Sequence, residues 1–125
     1  MKLRYLALVG MLALAACATA AVKQQTSVYE LRSSYAIYLD AAAAYSQLPF
    51  CAKGTSATLT APCSDPSAVI ALKKADDTAK LALDSAENIV RNNPVVDASS
   101  AIAAAQQALD AVKAIEAAYH VQTGA

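Results

Sequence analysis

Apolar residues beyond position 26 recur in steps of three and four, which is the spacing of one face of an α-helix. The pattern predicts three helices, over about residues 27–47, 66–92 and 97–120. The predicted inner faces are, in chain order, Val28, Leu31, Tyr35, Tyr38, Ala42 and Tyr45, then Val69, Leu72, Ala75, Ala79, Leu83, Ala86 and Val90, then Ala101, Ile102, Ala105, Ala108, Leu109, Val112, Ile115 and Tyr119. The short link between the second and third helices makes them neighbours, and the first helix fills their groove. The expected fold is therefore all-α, an antiparallel three-helix bundle.

Residues typical of helix termini set these bounds. Ser27 and Glu30 fit a capping box, which predicts that the first helix begins at Ser27 or one turn earlier. Ser64-Asp65-Pro66 offers a cap followed by a proline in the first turn of the second helix. The second helix is expected to stop at Asn92-Asn93-Pro94, and Asp97 is expected to cap the third.

The first 22 residues have the layout of an export signal. Lys2 and Arg4 precede an uncharged run, residues 5–22, that becomes richer in small residues toward its end. Ala18-Thr19-Ala20 fits the small-x-small rule for cleavage and release of a soluble protein. The run is also close to the roughly 20 apolar residues that a spanning helix needs, so an uncleaved anchor stays open.

A second possible cleavage site overlaps this run. Leu14-Ala15-Ala16-Cys17 resembles the lipobox of bacterial lipoprotein precursors. The resemblance, which covers only the signal segment, implies that diacylglycerol is attached to the Cys17 thiol, that the chain is cleaved before Cys17, and that the new amino terminus is acylated. Ala18 follows the cysteine, which resembles the pattern of lipoproteins at the outer membrane rather than the aspartate typical of retention at the inner membrane.

The lipoprotein interpretation divides the chain into four parts. A signal peptide (1–16) is followed by a membrane tether (17–26), the three-helix bundle (27–121) and a flexible tail (122–125). A fully extended tether would reach at most roughly 35 Å, so the bundle would lie close to its membrane. A length of 125 residues leaves room for one domain.

Cysteine usage agrees with export. Under either cleavage, Cys51 and Cys63 are the only candidates for a disulfide, and they lie in a loop rich in threonine and serine between the first two helices. Closing a loop of about 15 residues contributes about 3 kcal/mol in the chain-entropy model. The alternative is a metal site, but two thiols with no third cysteine or histidine nearby do not complete a zinc shell.

Composition excludes most classes of catalytic and nucleic-acid-binding protein. Lys+Arg and Asp+Glu are 10 each, and loss of Lys2 and Arg4 leaves a net charge of −2, so no nucleic-acid partner is expected. One histidine and three glycines cannot supply most catalytic or phosphate-binding arrangements, and no Gly-x-Ser-x-Gly turn occurs. We therefore expect no catalytic, cofactor-binding or metal-binding residues and no enzymatic activity. About a quarter of the chain is alanine, which favours helices and a thin core.

The tyrosines of the first helix are either a platform for a glycan or peptide, or core residues with their hydroxyls at the rim. Core packing is the expected role of these residues, which are Tyr29, Tyr35, Tyr38 and Tyr45. His120 lies near a helix end, where it is expected to interact with the helix dipole rather than to act in catalysis.

Most charged residues of the second helix are expected on its solvated face. Ion pairs are predicted between Asp76 and Lys80 and between Glu87 and Arg91, each four residues apart. Asp76 itself and Glu116 fall within the apolar sectors of their helices. Each is expected at an edge of the bundle, reaching water or accepting a hydrogen bond from a tyrosine.

These observations favour a small non-enzymatic lipoprotein of the cell envelope that is held at a membrane by Cys17 and contacts another envelope protein. Alanine-rich helices also permit self-association. One alternative is a soluble periplasmic module that binds a small ligand, and another is an inhibitor of a toxin or lytic enzyme that uses the disulfide loop as its rigid element. The body resembles small uncharacterised exported helical proteins, a likeness that implies no function.

Overall fold

Three alanine-rich segments form the helices α1 (Lys2–Ser46), α2 (Pro66–Asn92) and α3 (Ser99–Ala118) in a computed structural model. The structure describes residues 2–55 and 62–121, and the side chains of residues 20–55 and 62–121. The predicted tail, 122–125, lies outside the described residues. The helices pack against one another, with α2 and α3 joined by a short turn, so the predicted all-α three-helix bundle is confirmed.

Helix α1 begins far upstream of the predicted start at Ser27, and that prediction is wrong. The hydroxyl of Ser27 donates to the carbonyl oxygen of Lys23 (3.0 Å), one helical turn earlier, instead of capping a terminus. The physical reason is that no proline occurs before Pro49, so nothing interrupts the backbone hydrogen bonds between the apolar run and the amphipathic helix. Residues 17–26 are therefore helical and rise by about 15 Å, less than half of the extended reach.

The ends of α2 agree with the sequence pattern. Asp65 caps the helix because its carboxylate accepts from the backbone N–H groups of Ser67 (2.7 Å) and Ala68 (3.4 Å), and Pro66 occupies the first position. At the other end, the N–H of Asn93 bonds the carbonyl oxygen of Ile89 (2.9 Å).

Helix α3 is two residues shorter at each end than predicted. The carboxylate of Asp97 accepts from Ser99 N–H (2.9 Å), but Ala98 provides the first helical acceptor, so Ala98 occupies the cap position. At the carboxyl end, His120 adopts φ 53° and Val121 N–H bonds Glu116 O (2.8 Å). This is a Schellman ending, in which a left-handed residue closes the helix.

The core consists of alanines and a few larger side chains. Leu83 and Leu109 are among the largest side chains with almost no exposure, while the alanines that are 0% exposed are Ala68, Ala79, Ala86, Ala98 and Ala105. Such small residues let α2 and α3 approach closely, and Tyr35 and Tyr45 of α1 fill the space beside them. All three predicted apolar faces are buried or packed against this core.

Contacts between side chains fix the directions of the helices. Gln24 of α1 bonds Asp97 before α3, and Lys113 of α3 lies 5.4 Å from the ring centre of Tyr38. From the first pair to the second, the residue number rises both in α1 and in the segment that contains α3. Helices α1 and α3 are therefore parallel, and α2 is antiparallel to both. No helix in the described part of the chain combines the length and hydropathy needed to cross a bilayer.

Candidate functional site

The disulfide loop, which connects α1 to α2, is closed by a bond between Cys51 and Cys63. The predicted disulfide is therefore confirmed, and the Cα atoms of the two cysteines lie 4.9 Å apart. Backbone hydrogen bonds from Cys51 N to Ser64 O (3.0 Å) and from Ser64 N to Pro49 O (2.9 Å) pair the two sides of the loop beside the bond. The centre of the loop, residues 56–61, lies outside the described residues. The described base of the loop is thus held by covalent and backbone bonds together.

Buried contacts join this loop to the bundle. Ser64 is fully buried and its hydroxyl donates to the carbonyl oxygen of Leu48 (2.9 Å). The hydroxyl oxygen of Tyr45 accepts from the backbone N–H of Asp65 (2.9 Å). The loop and the start of α2 are therefore fixed to the end of α1, while the ring of Phe50 remains 65% exposed.

Arg32 connects the middle of α1 to α2. Its guanidinium donates to Asp84 and to Glu87 (2.6 Å to the latter), and Arg91 also binds Glu87 (2.7 Å). Hydrogen bonding from Arg32, followed by that from Lys80, holds the pKa of Asp84 below its usual range. The predicted pair of Glu87 with Arg91 is confirmed.

Asp76 does not form the predicted pair with Lys80. Lys80 binds Asp84 instead (3.1 Å), because Asp76 accepts a hydrogen bond from the hydroxyl of Tyr35 on α1. Burial, together with this hydrogen bond, raises the pKa of Tyr35. The alternative expectation for Asp76, an acid that reaches a tyrosine hydroxyl, is confirmed.

Glu116 departs from expectation most strongly. It is only 2% exposed, and neither carboxyl oxygen has a hydrogen-bond partner, so its predicted place at an edge of the bundle is wrong. Glu116 continues the buried series of Ala105, Leu109 and Val112 along the inner face of α3. Desolvation raises its pKa from 4.5 to about 7, and no charge or hydrogen bond offsets this effect.

No side-chain donor among the described residues bonds to the carboxyl group of Glu116. Tyr35 donates its hydroxyl to Asp76, and the hydroxyl oxygen of Tyr45 accepts from Asp65. His120, four residues after Glu116, is exposed beyond the end of α3. Among the described residues no group of three potential ligands is placed to hold a metal ion.

The four tyrosines of α1 do not share a surface. Tyr35 and Tyr45 are buried, and Tyr38 is partly covered with the ammonium group of Lys113 over its ring. Tyr29 alone among the four is largely exposed, at 73%. The expected core role therefore holds for Tyr35, Tyr38 and Tyr45 and is wrong for Tyr29, which faces away from the core because it adjoins Val28 rather than lying one turn from it.

The end of the bundle where α2 turns into α3 is unusually apolar for a turn. Val95 is 96% exposed and Val96 is 49% exposed. Asp97, next in the chain, accepts from the side-chain amide of Gln24 (3.1 Å), which ties the turn to α1. Helical periodicity does not identify this feature, because the two valines lie between helices, where the turn signal of Asn93-Pro94 dominates the pattern.

Cys17 lies within α1, and its side chain falls outside the described residues. Comparison with protein-family models, with curated proteins and with solved structures found no match. The most unusual features of the described residues are the exposed turn at Val95, the disulfide loop and the buried Glu116.

Proposed function

We propose that this chain is a small non-enzymatic lipoprotein of the bacterial cell envelope, anchored through a lipid on Cys17 and acting through protein contacts. One observation carries the proposal. Because Cys51 and Cys63 are bonded to each other, Cys17 is the one cysteine outside the disulfide, and it stands at the position that a lipobox reserves for lipidation. Several acyl chains on one residue, at about 0.8 kcal/mol for each buried methylene, hold a protein firmly at a bilayer.

Two further features support this proposal. A disulfide is typical of oxidising compartments such as the periplasm, so it agrees with export. Helix α1 also runs without a break from the lipobox region into the bundle, so an anchor at Cys17 would hold the bundle through a helix rather than through an extended chain. The expected place is the periplasmic side of a membrane, and the residue after Cys17 favours the outer membrane.

Metabolic labelling with a radioactive fatty acid tests the anchor. The full chain should incorporate label and sediment with membranes, and Cys17→Ala should not incorporate label. Cys51→Ser combined with Cys63→Ser is the matched control, because it removes two cysteines and leaves Cys17 in place. Equal labelling of the original chain and Cys17→Ala would contradict the lipid anchor.

The outer face of α2 is the surface that we expect to contact a partner protein. Ile70 and Leu81 are each 71% exposed and lie three turns apart on that face. A photoreactive amino acid at position 81 should cross-link to another envelope protein or to a second copy of this chain. The same probe at Asp110, an exposed polar position on α3, serves as the control. Absence of any cross-link at position 81 would argue against contact through this face.

A further inference from the structure

The turn between α2 and α3 lies at the end of the bundle from which α1 continues toward Cys17. The hydrogen bond from Gln24 to Asp97 places the turn level with residue 24 of α1. Since α1 and α3 are parallel, the part of α1 that precedes Gln24 extends beyond the turn and away from the bundle. Val95 and Val96 thus lie at the end nearest to Cys17.

The distance from Cys17 to this level is short. Gln24 follows Cys17 by seven helical positions, a rise of about 10 Å along the axis. Residues 18–22 are uncharged, and Lys23 is the first charged side chain after Cys17. A lipid-anchored α1 would therefore bury residues 18–22 in the bilayer interface and bring Lys23 to the headgroups, with the turn at the same depth as Lys23.

We propose, on the basis of the lipid anchor above, that Val95 and Val96 insert into the membrane surface and hold the bundle against the lipid. A valine that is 96% exposed in water loses apolar hydration when it enters the interface. Amphipathic helices at a bilayer bury their apolar face about 5–10 Å into the boundary between headgroups and acyl chains, so valines held at the level of the headgroups lie within reach of that boundary. The occupant of this surface is the bilayer to which Cys17 is attached.

Charge at this end is balanced, so the contact is expected to be apolar rather than electrostatic. Lys23 is offset by Asp97, and Arg91 is paired with Glu87 (2.7 Å). Insertion of Val95 should therefore be the same in neutral and anionic vesicles, and it should change little between low and high salt.

The absence of tryptophan from the sequence makes a fluorescence test direct. Val95→Trp introduces a single indole at the turn, and Ile37→Trp introduces one at an exposed position of α1, thirteen residues after Gln24 and so about 20 Å from the level of the turn. Each full chain is expressed with its own export segment, isolated from membranes and reconstituted in phosphatidylcholine vesicles. Part of the phosphatidylcholine carries bromine near the headgroup end of its acyl chains, where bromine quenches indole emission.

The expected result is blue-shifted emission and strong bromine quenching for Val95→Trp, with red-shifted and unquenched emission for Ile37→Trp. If both variants float with the vesicles and neither is quenched, the turn does not insert, although the anchor stands. If Val95→Trp becomes blue-shifted only when envelope proteins are added, the turn binds a protein and the lipid proposal is wrong. Failure of both variants to float with vesicles would overturn the anchor and the insertion together.

Discussion

Ionisation of Glu116 is expected to weaken the bundle over a pH range that ends near neutrality. In the unfolded chain the carboxyl ionises around pH 4.5, whereas in the folded chain burial raises its pKa to about 7. Below pH 4.5 the group is protonated in both states and imposes no penalty. Between these values the unfolded state releases its proton first, so the free energy of unfolding falls with each pH unit until the folded carboxyl is also ionised.

The size of this loss follows from the two pKa values. At about 1.4 kcal/mol per pH unit, the shift corresponds to roughly 3 kcal/mol between pH 4.5 and 7. A small domain has a total stability of about 5–15 kcal/mol, so the effect is a substantial fraction of it. Asp65, Asp84 and Asp97 have lowered pKa values, so their contributions are lost only as the pH falls below about 4. The two pH windows are separate.

Urea denaturation at half-unit steps from pH 4.5 to 8 measures the effect. Glu116→Gln replaces a neutral carboxyl by a neutral amide of the same size, so its stability should equal that of the original chain at pH 4.5 and exceed it by up to about 3 kcal/mol at pH 8. Glu30→Gln removes an exposed carboxylate from α1 and serves as the control. The reasoning is refuted if the original chain and Glu116→Gln show parallel pH profiles, or if Glu30→Gln has the same effect as Glu116→Gln.

Three further changes should alter the melting temperature measured by circular dichroism. Cys51→Ser should lower it by more than about ten degrees, because the disulfide contributes about 3 kcal/mol; an unchanged melt would mean that the thiols are not paired. Arg32→Gln should lower the free energy of unfolding by about 1 kcal/mol, or the melting temperature by about 4–8 °C, and Arg91→Gln, at the more exposed pair, should lower both by less. Equal losses in the two variants would show that the ion pair between α1 and α2 adds no stability. His120→Gly should raise the melting temperature by a few degrees and His120→Ala should not, because a left-handed backbone costs non-glycine residues about 1 kcal/mol; a matching gain in His120→Ala would contradict this explanation.

Local sequence signals were sufficient to predict a structural feature where a single physical cause determines that feature. The helical period identified the inner faces of all three helices, and Asp65 with Pro66 fixed the start of α2 to the residue. The disulfide was predictable because only two cysteines lie in the bundle region. In each case the signal is local, and no competing feature nearby satisfies the same groups.

Predictions failed where one residue has two possible partners. Ser27 has the chemistry of a cap, but the uninterrupted chain before it supplies a carbonyl at Lys23, so the hydroxyl bonds within the helix. Asp76 is four residues from Lys80, but it accepts a hydrogen bond from the hydroxyl of Tyr35 on α1 instead. A single sequence contains the local partner of each residue but does not reveal the partner that another helix brings to it.

The burial of Glu116 illustrates a different limit. Its angular position on α3 was predicted, but its depth depends on how closely the helices approach, and the small alanines of α2 and α3 leave it no route to water. Val95 shows the converse, because turns usually expose polar residues and an exposed valine is invisible to periodicity. Both features therefore required the packed structure to be recognised.

Polar contacts between α1 and α2 explain how a bundle with such a thin core fixes the position of the helix that leads to Cys17. An alanine face has little shape to specify register, because one small side chain resembles the next after a shift along the helix. Polar contacts from three residues along α1 to α2 or its cap remove this ambiguity. Arg32 binds Asp84 and Glu87, Tyr35 binds Asp76, and Tyr45 binds the backbone of Asp65. A shift of α1 by one turn would break all three and leave partly buried charges without partners. The same contacts therefore also fix the distance, along the bundle axis, between the turn at Val95 and Cys17.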